Sequence, residues 1–260
     1  MVQIPPLPQR YEIRTMKLIS LNVEGNAHLD TVRDFLHDYQ ADVICLMEAP
    51  EDFTVWLKKE GYAVTFAPTT IRTNGRGTFT EGVVLASNQA HTTHCQYYHQ
   101  PQPTIVHHDP INPHGTVARA VIVATFTFGT LATTHFTWTP NGNQPGIEQI
   151  STLDALLAIL TSCKPHYLVG DLNIPRHHNP LYKTLTSHYI DTIPESYRSS
   201  LDRSFHRLAN SPEFQFLFNE FMVDYLLAHP SLEVQDVQLV FGVSDHAAIT
   251  ATIGGKSPKL

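Results

Sequence analysis

Short apolar runs and amphipathic segments follow one another along this chain, and the two patterns predict different elements. Apolar runs bounded by Gly, Pro or polar residues predict strands over 18–23, 42–47, 62–67, 82–87, 119–128, 130–136, 167–169, 221–228, 234–241 and 247–253. Apolar residues at helical spacing predict helices over 29–39, 52–60, 147–160 and 180–188. Many strands with helices between some of them indicate an α/β (α+β) fold with mixed sheets.

Residues 88–116 break this pattern. They contain six histidines and four prolines, and we expect them to form a long loop or an irregular hairpin. No histidine spacing here matches a zinc signature, so a solvated loop is the expected state. At the ends of the chain, the Pro-rich residues 1–15 are expected to be an extension and residues 255–260 a frayed tail, with a single domain over 16–254.

Charge and cysteine content restrict the class of protein. The formal net charge is −7 over 260 residues, whereas proteins that coat nucleic acid are usually basic. A polyanionic substrate would therefore need a local basic or metal-bearing patch. Three cysteines without a CxxC pair suit a reducing compartment. With no apolar stretch of about 18 residues and no secretory signal, we expect a cytoplasmic monomer with no membrane partner.

The stretch "YLVGDLNIPR" places an unusual pair of side chains after an apolar run. Asp171 and Asn173 follow Gly170 and are separated by one residue. Side chains alternate along an extended chain, so this pair is expected to point to the same side. An ordinary turn remains the alternative, because Asp, Asn, Gly and Pro are common turn residues.

Polar residues recur where the other apolar runs end or begin. They are Asn22 and Glu24 in "LNVEGN", Glu48 in "LMEAP", His135 in "THFTW", Asp224 in "FMVDYL", and Asp245 and His246 in "SDHAAI". Buried carboxylates are rare unless they are paired or bound to a metal. Catalytic groups often collect at strand ends and in the adjoining loops. Six such positions in one chain therefore predict a constellation of functional side chains.

The motifs "LNVEGN", "LMEAP", "GDLN" and "SDH" occur in an order that resembles the endonuclease/exonuclease/phosphatase superfamily of metal-dependent phosphoesterases. The resemblance extends from about Lys17 to Ile253, and only the combination of motifs is specific. It implies a four-layer sandwich of two packed mixed β-sheets flanked by helices. It also implies an active site in a cleft at one edge of the two sheets.

The resemblance also implies roles for individual residues. Glu48 matches the principal metal-binding glutamate, and Asn22, Glu24 and Asp245 are expected to join it in holding Mg²⁺ or Mn²⁺. Asp171 is expected to deprotonate the attacking water. Asn173 is expected to donate a hydrogen bond to that water or to a phosphoryl oxygen.

Two histidines complete the set of expected catalytic residues. His135 and His246 are expected to flank the scissile phosphate, and Asp224 is expected to fix the tautomer of His246. Two alternatives remain open from the sequence. His135 could be a satisfied strand histidine, and Asp224 could pair with an arginine.

Substrate contacts are less well determined by the sequence. Arg176 is a candidate phosphate clamp, since Arg forks suit phosphate oxygens. Trp138 could stack on a base or anchor its loop. Arg203 lies in the segment 193–208 and could bind substrate or belong to a solvated face. Arg119 could contact phosphate, but an ion pair at the edge of the core is the favoured interpretation.

Three functions are compatible with these residues. The favoured one is a Mg²⁺- or Mn²⁺-dependent phosphodiesterase that acts on nucleic acid or a nucleotide-like diester, because His135 matches diesterase members. The alternative is a phosphomonoesterase or a lipid-headgroup phosphodiesterase, which the acidic net charge keeps open. A binding module without catalysis is the third, and the complete set of polar side chains disfavours it.

Overall fold

Two β-sheets of six strands each lie at the centre of the structure. The computed structural model describes residues 15–100, 102–139 and 142–254. Its strands are β1 (Thr15–Asn22), β2 (Val43–Pro50), β3 (Ala63–Asn74), β4 (Gly77–Ser87), β5 (His91–His99), β6 (Arg119–Phe126), β7 (Gly129–Thr134), β8 (Tyr167–Asp171), β9 (Ile190–Asp191), β10 (Asp224–Ala228), β11 (Val234–Val240) and β12 (Ala248–Gly254). The first sheet has the order β11-β12-β1-β2-β4-β3 and the second the order β5-β6-β7-β8-β10-β9.

Helices cover the outer faces of the sheets. They are α1 (Leu29–Tyr39), α2 (Phe53–Lys59), α3 (Ile147–Cys163), α4 (Leu181–Thr186) and α5 (Leu217–Glu220). Leu36 of α1 and Leu57 of α2 pack against the first sheet, and Leu156 of α3 belongs to the core of the second. The predicted α/β sandwich of two mixed sheets with flanking helices is therefore confirmed.

The two faces of the first sheet are both buried, which explains its uninterrupted apolar runs. In β1, Leu18 packs into the core shared with the second sheet, while Ile19 and Leu21 pack beneath the helices. In β2, Cys45 points into the shared core, and its neighbour Ile44 points to the helices. Cys45 is thus the core residue that the sequence predicted, and burial raises the pKa of its thiol to about 12.

The strand directions bring the polar strand ends to one edge of the molecule. β1 and β2 are parallel, and so are β7 and β8. Their carboxyl ends therefore meet at the same edge. β12 and β10 run antiparallel to β1 and β8, so these two strands begin where the others end. This arrangement gathers the predicted site residues from strands far apart in the sequence.

The structure corrects several predicted boundaries. Part of the predicted loop 88–116 is strand β5, which pairs with β6. It is an edge strand whose side chains are mostly exposed, so it lacks an apolar signal. The hairpin of β3 and β4 is longer than predicted, because its polar outer half continues the pairing to Asn74 and Gly77.

The single domain over 16–254 stays a prediction. Thr15 already belongs to β1 and pairs with Gly254, so the first strand begins one residue before the predicted domain. The rest of the predicted extension and the predicted tail 255–260 lie outside the described residues. Among the described helices, none is both long enough and apolar enough to cross a membrane.

Candidate active site

Glu48 projects from an irregularity in β2. The register with β4 shifts between Leu46 and Ala49, and Glu48 itself has a φ of +54°. A bulge of this kind turns a side chain away from the regular alternation of the strand. Burial would raise the pKa of Glu48, but Arg72 and His135 outweigh it and lower the pKa to about 2. Glu48 is therefore a carboxylate at neutral pH.

Asn22, the last residue of β1, links the two sheets. Its Nδ2 donates to Asp171 Oδ2 at 3.0 Å and lies 3.4 Å from Glu48 Oε1. Its Oδ1 accepts a hydrogen bond from the backbone N–H of Glu24 at 3.1 Å, which fixes the orientation of the amide. The sequence predicted Asn22 as a metal ligand. Its contacts make it a bridge that holds two carboxylates in place, and its role as a metal ligand stays a prediction.

Asp171 lies at the end of β8 and is almost completely buried. Its Oδ1 accepts a hydrogen bond from the backbone N–H of Asn173 at 2.9 Å. It is the cross-strand neighbour of Asp224 on β10. Burial and the Asp224 carboxylate raise the pKa of Asp171 to about 7, which is the range in which a side chain can accept a proton efficiently at neutral pH.

His135 lies against Asn173 and two carboxylates. Asn173 Nδ2 lies 3.1 Å from the Phe136 carbonyl oxygen and 3.1 Å from His135 Nε2. The same Nε2 lies 3.6 Å from Asp171 Oδ2 and 3.9 Å from Glu48 Oε1. Burial and Arg119 lower the pKa of His135 to about 3. His135 is therefore neutral at neutral pH.

The predicted role of Asn173 toward water or a phosphoryl oxygen stays a prediction. In this structure the amide nitrogen lies against Phe136 and His135. The remaining polar atom, Oδ1, is an acceptor that suits a water molecule. Asn173 also has a φ of +50°, so it does not follow the strand alternation from which its direction was predicted.

Asp224 and His246 form a buried pair. His246 Nδ1 donates to Asp224 Oδ2 at 2.7 Å, which confirms the predicted partner of Asp224 in place of an arginine. Burial disfavours a charge on His246, but Asp224 and Asp245 raise its pKa well above the usual value. An oxygen of Asp171, an oxygen of Asp224 and a nitrogen of His246 lie within 4.8 Å of one another. A cationic imidazole thus adjoins the Asp171 carboxyl.

The loop that carries Asp245 and His246 is held by the segment 199–202. Asp202 N donates to the Asp245 carbonyl and Ala247 N donates to the Ser200 carbonyl, each at 2.7 Å. The backbones of Leu201 and His246 also pair in a single antiparallel β-bridge. Part of the segment 193–208, which the sequence marked as a substrate-binding candidate, therefore supports the site through its backbone.

Comparison with known proteins identifies the family of this chain. The sequence profile of the Endonuclease/Exonuclease/phosphatase family matches residues 19–246. This chain belongs to the endonuclease/exonuclease/phosphatase family. Its members are hydrolases of phosphoester bonds. The search of curated proteins finds no significant match.

Solved structures share the family fold at low identity. An endonuclease/exonuclease/phosphatase from Beutenbergia cavernae is 16% identical with a TM-score of 0.67, covering 95% of this chain and 73% of that one. The human Nocturnin catalytic domain with bound sulfate is 15% identical with a TM-score of 0.62, covering 92% and 93%. D. rerio TDP2 with a single-strand DNA product is 18% identical with a TM-score of 0.61, covering 92% and 98%.

The family site contains a group of carboxylates that suits a divalent cation. Burial raises the pKa of Asp245 to about 6; His246 acts against this rise, and the charges of Glu24 and Glu48 add to it. One oxygen of Glu24 is engaged by His28 Nε2 at 2.8 Å. Carboxylate oxygens are the donors that Mg²⁺ and Mn²⁺ prefer, and a cation would relieve this repulsion. The chemistry of Glu24, Glu48 and Asp245 therefore suits such an ion, whereas the described carboxyl and imidazole atoms that lie within 4.8 Å of one another are those of Asp171, Asp224 and His246.

Two residues that the sequence analysis missed lie behind Glu48. Arg72 Nε donates to Glu81 Oε1 at 2.8 Å, and its Nη2 is 3.8 Å from Glu48 Oε2. Burial and Glu48 raise the pKa of Glu81 to about 8. The sequence shows only that β3 contains an arginine and β4 a glutamate. The pairing of the two strands shows that these two charged side chains meet.

Arg176 is not placed to clamp substrate. Its side chain is buried, and its Nη2 pairs with Asp191 Oδ2 at 2.8 Å. Nη2 also donates to the Ile193 carbonyl at 3.1 Å, and Nη1 to that of Tyr197 at 3.3 Å. These contacts occupy most of the N–H donors of Arg176. Arg176 therefore holds the segment 191–197 in place.

The other two predicted substrate contacts lie near the surface. Trp138 is 47% exposed and comes three residues after His135, so its ring is available for stacking. Arg203 donates to Gln215 Oε1 at 2.5 Å and lies over the Phe218 ring at 5.0 Å. Arg203 is thus engaged within its own segment, and its role toward substrate stays a prediction.

Proposed function

We propose that this chain is a divalent-metal-dependent phosphodiesterase that hydrolyses a phosphoester bond by in-line attack of an activated water. A nuclease or a hydrolase of nucleotide-like diesters is the substrate class that we favour. The observation that carries the proposal is the environment of Asp171. A buried carboxyl with its pKa raised to about 7 lies within 4.8 Å of Asp224 and of a cationic His246, and the amide of Asn22 links it to Glu48.

The metal would be held by carboxylates from separate loops and strands. Glu48 is the main ligand in this proposal, with Glu24 and Asp245 as further oxygen donors and Asn22 as the amide that holds Glu48. When bound, Mg²⁺ or Mn²⁺ stabilises the negative charge that develops on the phosphoryl group and on the leaving oxygen.

Asp171 and Asn173 are proposed to handle the attacking water. Asp171 Oδ2 is held by Asn22 at 3.0 Å, and it would take the proton of the water. Asn173 Oδ1 would accept the second hydrogen bond of that water, since the amide nitrogen lies against Phe136 and His135. Together the two acceptors would aim the oxygen of the water at phosphorus.

The histidines are proposed to act on the phosphoryl oxygens. His246 is cationic and fixed by Asp224 at 2.7 Å, so it would stabilise negative charge in the transition state. His135 is neutral, and its Nε2 holds Asn173. Its role in this proposal is therefore to position Asn173, which differs from the flanking role that the resemblance implied.

The structural neighbours support an anionic substrate. The Nocturnin structure contains a sulfate, and the TDP2 structure contains a single-strand DNA product. The exposed ring of Trp138 is compatible with a substrate that carries a base.

The test is hydrolysis of bis-p-nitrophenyl phosphate beside p-nitrophenyl phosphate, with Mg²⁺, with Mn²⁺ and with chelator. We expect faster hydrolysis of the diester and none in chelator. Asp171→Asn should lower the rate about a hundredfold or more, because it removes the proton acceptor. Asp154→Asn is the matched control, since Asp154 is exposed on α3, and it should keep the wild-type rate.

A preference for the monoester would favour a phosphatase over the proposed diesterase. Full activity of Asp171→Asn would show that another group accepts the proton. If the diester is preferred, a panel of single-strand DNA, RNA and lipid phosphodiesters would then identify the leaving group.

A further inference from the structure

The outer edge of β10 is covered by a strand at one end only. β9 pairs with β10 at Leu227 and Ala228, and Thr192 N donates to the Leu226 carbonyl at 3.1 Å. Asp224, which begins β10, lies beyond the reach of this two-residue strand. A buried backbone N–H at the start of β10 therefore needs another acceptor, because a buried donor without a partner is destabilising.

A serine side chain supplies that acceptor. Ser200 is completely buried, and its Oγ accepts hydrogen bonds from Val223 N at 3.1 Å and from Asp224 N at 3.2 Å. Ser200 N in turn donates to the Phe221 carbonyl at 3.2 Å. One residue thus takes the place of a neighbouring strand at the start of β10, and it fixes the backbone from which the Asp224 carboxylate extends.

Ser200 also contacts the backbone on the other side of the buried pair. Its carbonyl accepts a hydrogen bond at 2.7 Å from Ala247 N, and Ala247 directly follows His246. The Nδ1 of His246 lies 2.7 Å from Asp224 Oδ2. Ser200 is therefore bonded to the backbone of Asp224 through its side chain, and to the residue after His246 through its carbonyl.

The preceding serine is buried as well but has different contacts. Ser199 Oγ donates to the Leu217 carbonyl of α5 at 2.8 Å. Among the described residues, the side-chain bonds of Ser199 reach neither Asp224 nor His246. Of these two adjacent buried serines, only Ser200 is attached to both sides of the pair.

We propose that Ser200 is a positioning residue for the pair of Asp224 and His246. The inference rests on the proposed function, because it concerns how the chain holds the histidine that would stabilise charge on the phosphoryl group. Ser200 itself contacts neither the substrate nor the reacting atoms. Its hydroxyl sets the direction of Asp224 and its carbonyl sets the place of His246. The bond between the imidazole and the carboxylate therefore depends on both attachments.

The first test is proton NMR of the full chain in chelator and without substrate. A proton shared by an imidazole Nδ1 and a carboxylate at 2.7 Å resonates far downfield, and His246→Gln identifies the signal by removing it. We expect the signal in the wild type and in Ser199→Ala. We expect its loss or a clear upfield shift in Ser200→Ala, because two buried N–H groups lose their acceptor and the start of β10 is released.

The second test is steady-state hydrolysis of bis-p-nitrophenyl phosphate with Mg²⁺. We expect Ser200→Ala to lower kcat about tenfold or more and to leave KM within about twofold, because a displaced charge affects the transition state more than the bound substrate. Ser199→Ala is the matched control. It also loses buried hydrogen bonds, so it should unfold at lower denaturant concentration, but it should keep the wild-type kcat.

A wild-type NMR signal together with a wild-type kcat in folded Ser200→Ala would overturn the proposal. An equal loss of kcat in Ser199→Ala and Ser200→Ala would also overturn it, because the effect would then follow from lost stability alone. If Ser200→Ala does not fold, as judged by circular dichroism, Ser200→Cys and Ser199→Cys are compared by the same two measurements. A thiol is a weak acceptor, so the losses are again expected only at Ser200.

Failure of the proposed function would have a different signature. The NMR signal would still be lost in Ser200→Ala and kept in Ser199→Ala, but the wild type would hydrolyse neither nitrophenyl ester with metal present.

Discussion

Three non-glycine residues of the candidate site have a left-handed backbone conformation. Glu24, Glu48 and Asn173 have φ values of +52°, +54° and +50°. Such conformations cost free energy for L-residues and persist only where the surroundings impose them. Each of the three lies where a strand ends or bulges. The backbone strain is therefore confined to positions where the side chain departs from the alternating directions of a strand. The sequence pattern of alternation cannot predict directions at such positions.

The pKa values of single residues predict the pH dependence of kcat/KM. Burial and Asp224 raise the pKa of Asp171 to about 7. In the proposed mechanism the deprotonated form is the proton acceptor, so we expect activity above this pKa and its loss as the pH falls through it. A bound cation stabilises the carboxylate and moves this limb to lower pH. His246 has a raised pKa, so its contribution is lost only at alkaline pH.

The measurement is kcat/KM for bis-p-nitrophenyl phosphate in saturating Mg²⁺ between about pH 5 and about pH 9. We expect a rate that rises from the acid side, with a midpoint at or below about 7, and that falls at the alkaline end. A rate that stays constant over the whole acid half would contradict the assignment of Asp171 as the base.

At the scale of elements, the ends of the buried strands could be predicted from the sequence. The edge strand β5 and the segment that follows it could not. The change from apolar to polar residues marked Asn22, Glu48 and Asp171 because buried strands leave a clear boundary in the sequence. The edge strand β5 left no such boundary, since its side chains are mostly exposed. His108 was assigned to a solvated loop for the same reason, and only the bonds to Ile71 show that its backbone is fixed.

The close approach of β8 to the end of β7 depends on Gly170. This residue has a φ of +143°, and a Cβ atom there would lie 2.0 Å from the Thr134 carbonyl oxygen. Gly170→Ala should therefore destabilise the fold by about 2 kcal/mol or more, as measured by denaturant unfolding. Gly75→Ala is the control, because a Cβ atom at Gly75 would have no contact within 4 Å. Equal stability of the two variants would contradict this packing.

At the scale of the whole molecule, the site lies at the seam between the two sheets. The bond from Asn22 Nδ2 to Asp171 Oδ2 joins residues 149 positions apart in the sequence, and the pair of Asp224 and His246 joins the second sheet to the loop before β12. The motifs marked these residues, and the fold shows which of them meet. The partners of Arg176 could not be predicted, since they depend on loops whose course follows from tertiary packing.

The most direct test of a metal-dependent hydrolytic site is the Mg²⁺ dependence of bis-p-nitrophenyl phosphate hydrolysis after chelation. Wild-type activity should vanish in chelator and return with Mg²⁺. Glu48→Gln should lose about a hundredfold or more, because it removes the proposed main metal ligand. Glu51→Gln, which alters an exposed carboxylate nearby, should respond to Mg²⁺ like the wild type. Hydrolysis that persists in chelator, or that Glu48→Gln leaves unchanged, would contradict the proposed metal-dependent mechanism.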